Sequence, residues 1–161
     1  MKAPIIDEID INIGPKTLDT SLLESSPLSI FRQPPSDEVD QAWTALGDTR
    51  PIPLTREQVL AVGKDPAKVV KIPEDWGLGA DTYFGRVDVF HQIHCLDALR
   101  REAYWDHYYG SAYPGGLNDT RPIHRLHLSH CIYYLLQNVL CNANTAIYTH
   151  FWNGHGQAPF P

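Results

Sequence analysis

The chain has 161 residues, 43% of them hydrophobic and 20% charged, with a formal net charge of −6; that is enough apolar material for one domain-sized core. The acidity comes without a basic stripe or an Arg-rich helix, which excludes nucleic acid as a partner. No apolar run approaches the ~18 residues of a bilayer span and no charged-then-apolar start resembles a signal peptide, so the chain as it stands reads as soluble with no transmembrane segment.

In chain order, residues 1–35 read as an extended arm. The first half, to about residue 80, carries most of the prolines, among them Pro27, Pro34, Pro35, Pro51, Pro53, Pro66 and Pro73. The segments between them are too short for a sustained apolar period, so this half is expected to be mostly irregular connection with short helices. Ser36 is a capping residue, and Val39, Ala42, Trp43 and Leu46 follow at helical spacing, which predicts a short helix from about Asp37 to Leu46. Thr55, with Gln58 three residues on, opens a second short helix that Pro66 is expected to stop.

From Tyr83 apolar residues return at helical spacing, predicting a helix from Asp88, its cap, to about Tyr108. Its first turns hold the pentapeptide His91-Gln92-Ile93-His94-Cys95. Tyr109 to Pro122 is a turn-rich connection containing Asn118-Asp119-Thr120, an N-glycosylation acceptor pattern. Arg121-Pro122 then suits the entry to a second long helix, from about Ile123 to Ala143. There the pentapeptide recurs as His127-Leu128-Ser129-His130-Cys131. Leu126, Leu128, Ile132, Leu135, Leu136, Val139 and Leu140 cover nearly its whole circumference, so this helix is expected to be central and largely buried, with His127 and His130 interior. Beyond Asn144 irregular structure runs to Pro161. The expected fold is mainly α: two central motif-bearing helices packed face to face, wrapped by the Pro-rich, mostly irregular N-terminal half, with residues 36–161 forming one domain.

Spacings of three and four residues place side chains on one helix face, and imidazole is the commonest transition-metal ligand. Two such faces brought together offer four imidazoles and two sulfurs from a chain with eight His and three Cys. Burying that many imidazoles without partners costs several kcal/mol, roughly, so the duplication points to a metal site. Its candidate residues are His91, His94, His127 and His130, with Cys95 and Cys131 either as thiolate ligands or joined in a disulfide that staples the two turns. Thiolate ligation favours zinc, Cu(I) or an iron–sulfur cluster; a histidine-only centre suits copper or zinc. Glu102 lies about three turns, ~16 Å, beyond His91 and cannot share that metal, and Cys141 is similarly remote from His130. His107, His124, His150 and His155 lack the paired arrangement, His124 being the best placed of them. Tyr83, Tyr104, Trp105, Tyr108, Tyr109, Tyr133 and Trp152 are candidates to line an apolar cleft, with ordinary packing as the alternative for each.

The run from Val87 through His91-Gln92-Ile93-His94-Cys95 to Leu96, then Leu99-Arg100, then His127 to Ile132 with Gln137, Cys141 and Asn142-Ala143-Asn144-Thr145, resembles the UstYa family of fungal natural-product biosynthesis. The resemblance extends back through Asp40-Gln41-Ala42-Trp43 and on to Phe151-Trp152, covering residues 36–161. It implies an oxidase-like enzyme acting on a peptide or other small-molecule secondary metabolite. Oxidative cyclisation, hydroxylation or halogenation is the implied chemistry, with copper the favoured metal and dioxygen as co-substrate. It also implies a setting in the secretory-pathway lumen and homo- or hetero-oligomers with a related protein. The chain departs from the pattern in lacking the usual amino-terminal anchor and a later segment with a further His and Cys. Ser129, Tyr133 and Asn144 also stand where relatives often carry acidic residues. Two other readings remain: a non-redox cyclase working by orientation and His acid–base catalysis, and a metal-stapled, non-catalytic partner of an active homologue.

Overall fold

A computed structural model of the protein describes residues 27–48 and 51–145, residues 14, 18 and 147, and the backbone of 151–152 and 159–160. His150, His155 and the side chain of Trp152 lie outside the described residues. The structure is mainly helical: α1 (Asp37–Gly47), α2 (Arg56–Ala61), α3 (Asp88–Ala103), α4 (Trp105–Tyr108) and α5 (Pro122–Cys141), with strands β1 (Ile52–Leu54), β2 (Tyr83–Gly85), β3 (Phe151–Trp152) and β4 (Pro159–Phe160). β3 and β4 pair antiparallel, Phe151 opposite Phe160. The chain divides into two compact units, one containing residues 49–88 and the other residues 17–48 with 89–161. No helix among the described residues is long and apolar enough to cross a membrane.

The unit of residues 49–88 is built on the antiparallel pair β1–β2, with Ile52 opposite Gly85 and Leu54 opposite Tyr83. Val70 and Ile72 extend it on the other side of β2, Phe84 N–H donating to the Val70 carbonyl and Ile72 N–H to that of Thr82. Val59, Ile72 and Tyr83 are its buried core. α2 starts as its sequence predicts: the Thr55 hydroxyl accepts from Gln58 N–H at 3.2 Å, and Gln58 Oε1 accepts from Thr55 N–H at 2.8 Å. It ends at Ala61 with Val62 as its C-cap, before Pro66 is reached. Gly63 takes φ +76°, its N–H donating to Leu60 and that of Lys64 to Val59, the glycine C-terminal cap that lacks a Cβ penalty.

In the second unit α1 is capped by Ser36, whose hydroxyl accepts from Val39 N–H at 3.3 Å, and it buries Val39. α1 is tied to α3 through Arg100, whose side chain is only 9% exposed. Its Nη2 donates to Asp40 Oδ1 at 2.6 Å, its Nε to Asp97 Oδ1 at 2.7 Å and its Nη1 to the Tyr108 hydroxyl at 2.7 Å. Tyr108 in turn donates to Asp40 at 2.6 Å, and the guanidinium lies over the Trp43 ring. A guanidinium removed from water in this way is tolerated because its charge and donors find partners. Burial pushes the Asp40 carboxyl up, but the hydrogen bonds from Tyr108 and Arg100 and the charges of Arg101 and Arg100 outweigh it and hold the group below its ordinary range.

The single helix predicted from Asp88 to Tyr108 is broken at Tyr104, whose backbone (φ −112°, ψ 45°) leaves helical space before α4 begins. That break turns α4 back so that Tyr108 reaches Asp40. α5 begins with Pro122 at its first position and Arg121 extended before it, as predicted. The expectation that α5 is largely buried fails: Cys131 is its only buried residue. Leu126, Ile132, Tyr133, Leu136, Val139 and Leu140 are half or more exposed. Apolarity around a helix states what it would cost to leave uncovered, and says nothing about how many neighbours the fold supplies.

Replacing Asp40 by Ala leaves the Arg100 charge short of its partner and should cost about 3 kcal/mol. Arg101→Ala, at the edge of the network, should cost less than about 1 kcal/mol. Urea unfolding followed by circular dichroism measures both; equal losses would contradict the Arg100-centred network. The Asp40 contribution is complete above its ordinary pKa of 3.8 and is lost as pH falls below it.

Candidate metal centre

Both pentapeptides lie on helices, the first in the opening turns of α3 and the second midway along α5. The helices run antiparallel where their side chains meet. His91 stacks on His130 with ring centroids 5.6 Å apart, His94 meets His127 at 5.4 Å, and Glu102 meets His124. Partners thus run backward along α5 as they run forward along α3. The first His of each motif faces the second His of the other, as an approximate two-fold axis requires.

Two sets of donors result. In one, ligand atoms of His91, Cys95 and His130 all lie within 4.8 Å of one another. In the other, Nε2 of His94 is 3.4 Å from Nε2 of His127, which is 3.5 Å from Sγ of Cys131. Ligand bonds of ~2.0–2.3 Å put donor atoms about 3.5 Å apart around one ion, so a small inward adjustment of the first set fits a transition metal. Cys95 and Cys131 are not joined in a disulfide, and each is fully buried. His94, His127 and His130 are exposed and His91 is half-buried. The expectation that His127 and His130 are interior is therefore corrected; with α5 uncovered on one side, the centre opens to solvent.

Partial burial, reinforced by the charges of His94, His130 and His124, lowers the pKa of His127 below its usual value. A neutral ring with a free lone pair is the form that binds metal. Gln92 Nε2 donates to Asn138 Oδ1 at 3.1 Å, adding a polar link between the two helices. Tyr134, which the sequence reading passed over, lies with its ring 4.4 Å from that of His91 and 5.7 Å from that of His130. Its spacing from His130 was the available signal: four residues on, on the same helix face.

Beside the second set is a cleft of about 180 Å³ whose walls include His94, His127, Asp97, Arg101, Glu102 and His124. Of the nominated aromatics whose side chains are described, Tyr109 alone lines this cleft. Tyr83 is a core residue of the other unit, Tyr108 is committed to Asp40, Tyr104 and Tyr133 are exposed, and Trp105 packs beside Tyr109 and His124. Closeness in sequence to a motif does not select a helix face. Glu102 is absent from the three-residue metal set, as its distance along α3 predicts, yet it shares the cleft with His94 and His127.

The UstYa family model, described as mycotoxin biosynthesis protein UstYa, matches residues 1–161. The chain is similar to the UstYa family oxidase aprY of Aspergillus flavus, 39% identical over 163 residues that cover 99% of this chain and 48% of the relative. Similarity extends to the UstYa family oxidase phomYc of Diaporthe leptostromiformis, 26% identical over 86% of this chain and 52% of that one. The UstYa family oxidase VicYc of Bipolaris victoriae is 35% identical over 44% of this chain and 65% of that one. The chain thus spans about half the length of the first two relatives. No solved structure matches it.

A histidine held neutral in the fold, while the unfolded chain takes up a proton near 6.5, withdraws stability as pH falls below that value. The melting temperature of the metal-free protein should therefore drop between about pH 7.5 and about pH 5.5, and His127→Gln should make the drop shallower. Differential scanning calorimetry across that range reads both, and an unaltered slope in the variant would contradict the lowered pKa.

Proposed function

The chain belongs to the UstYa family, and on that premise we propose that it is an oxidase-like enzyme of fungal natural-product biosynthesis whose paired His-x-x-His-Cys faces hold a redox metal, copper before zinc or iron. One observation carries the reading: His91, Cys95 and His130, from two separate stretches of sequence, present ligand atoms within 4.8 Å of one another. Two imidazoles with one sulfur are a donor set that suits copper. Copper bound there would supply one-electron redox chemistry with dioxygen as co-substrate.

The chain's own residues do the rest. His91 and His130 would hold the metal from opposite helices and Cys95 would add a buried sulfur, while the Tyr134 ring lies against both imidazoles. His94 and His127 stand at the wall of the cleft, where a substrate group is seated between the charged pair Asp97 and Arg101 and the apolar Ala98 and Leu128. A cleft of about 180 Å³ is smaller than the ~300–1,000 Å³ of drug-sized pockets. It suits one side chain of a peptide or one ring of another secondary metabolite better than a whole molecule. Oxidative cyclisation, hydroxylation or related C–H functionalisation at that group is the reaction class.

Exposure of His94, His127 and His130 favours this reading over a metal-stapled, non-catalytic partner, because structural sites are closed by their ligands. The apolar stripe of Leu126, Tyr133, Leu136 and Leu140 on α5 supports assembly with a second copy or a related protein. The exposed Asn118, on a short turn before Thr120, supports a setting in the secretory lumen.

Copper titration with electron paramagnetic resonance tests the shared centre. His91→Ala and His130→Ala should each weaken binding by at least about tenfold, or about 1.4 kcal/mol, and each should change the spectrum. A variant that binds like the unaltered protein would remove its helix from the centre. Chelation should abolish dioxygen uptake with a turnover substrate; product formation surviving chelation and exclusion of oxygen would replace the oxidase reading by a non-redox cyclase.

A further inference from the structure

His124 and Glu102 form a pair that the metal centre does not use. Nε2 of His124 is 2.7 Å from Oε1 of Glu102, with side chains 23% and 18% exposed. The imidazole is framed edge-on by Trp105 at 6.3 Å and Tyr109 at 5.2 Å, with Tyr113 at 6.4 Å. These rings fix its orientation and offer it no competing charge. Both members of the pair line the same cleft as His94 and His127. With the carboxylate accepting from Nε2–H, the ring is held in the tautomer whose lone pair is on Nδ1, and among the described residues that nitrogen has no hydrogen-bond partner.

We propose that the His124–Glu102 pair is the proton acceptor of the cleft, removing a weakly acidic O–H or N–H proton from the substrate group seated there. This rests on the proposed role of the cleft as the substrate site, and it does not require the metal. In the step, the substrate X–H bond breaks, its electron pair stays on X, and the proton moves to Nδ1 of His124. The resulting imidazolium keeps its Nε2–H on the Glu102 carboxylate, which stabilises the new positive charge. An anion is easier to oxidise than its conjugate acid, so the step prepares the substrate group beside His94 and His127. The groups facing the pair are Glu102, Asp97 and Arg101 on α3, Tyr109 and Tyr113 from the segment following α4, and His127 on α5. The Tyr109 phenol is pushed up by burial and by the Glu102 carboxylate, so it stays neutral and does not compete as a base.

The test uses the full chain, with and without copper, and 5-nitrobenzisoxazole as a probe whose ring opens when a positioned base removes its C–H proton. Metal-free protein should open the probe with a rate that rises with pH to a plateau. His124→Gln should reduce that rate at least about tenfold. Glu102→Gln should move the rising limb to lower pH, because the ring loses its anionic partner, and Glu102→Asp should restore it in part. Melting temperature and copper content, read in parallel, should be those of the unaltered protein to within small shifts. Rates and limbs unchanged in both variants, or a fall in melting temperature without change in either, would overturn the proposal and leave the pair as a helix staple. Copper binding lost while the probe reaction survives would sink the oxidase reading alone; copper chemistry intact with a probe reaction indifferent to both variants would sink this inference alone.

Discussion

Antiparallel pairing of α3 and α5 is the constraint on which the site depends. Within one helix turn a His-x-x-His spacing gives two donors on one face, and no rearrangement of that turn adds the others a transition metal needs. A second, identical face supplies them only if the two helices meet with the motifs in register. In the antiparallel arrangement His91 falls on His130 and His94 on His127, so the same five residues serve from both directions. Cys95 and Cys131, equivalent under the approximate two-fold, are both fully buried. A slip of one helical turn, about 5.4 Å, would separate every one of these pairs.

What holds α3 in place lies on its other side. Arg100 is opposite the ligand face on the helix wheel, and it draws Asp40 of α1, Asp97 of its own helix and Tyr108 of α4 into one network. The network joins Asp40-Gln41-Ala42-Trp43 to Leu99-Arg100: Asp40 binds the guanidinium edge and Trp43 its face. The break at Tyr104 belongs to the same device, since a continuous helix would carry Tyr108 away from Asp40. Gly47 also comes close to Ile93 and the His94 backbone, so the end of α1 borders the first motif directly.

The exposed side of α5 has the opposite character. A helix apolar on all sides usually marks a buried element, yet here a stripe from Leu126 to Leu140 is exposed, and of the candidate ligands on α5 only Cys131 is buried. The consequence for chemistry is a centre that small molecules can approach, with His94, His127 and His130 exposed rather than sealed in. The consequence for association is a surface whose burial against another chain would be favourable at about 25 cal/mol per Å².

The elements and the site were legible in the sequence to very different depths. Local rules stand close to the residues that obey them, so Ser36 and Thr55 as caps, Pro122 at the first position of α5 and the helical phase of both pentapeptides follow from spacing alone. The six metal candidates were named from duplication, because the same rare residue types at the same spacing restrict chemistry before any fold is known. Tertiary structure alone decided which donors meet, that Glu102 pairs with His124 beside them, that Arg100 anchors α3 to α1, and that α5 keeps one apolar side uncovered. Those outcomes depend on the relative direction and register of segments far apart in the chain, and periodicity records which way a side chain points from its own helix axis but carries no information about what stands opposite it.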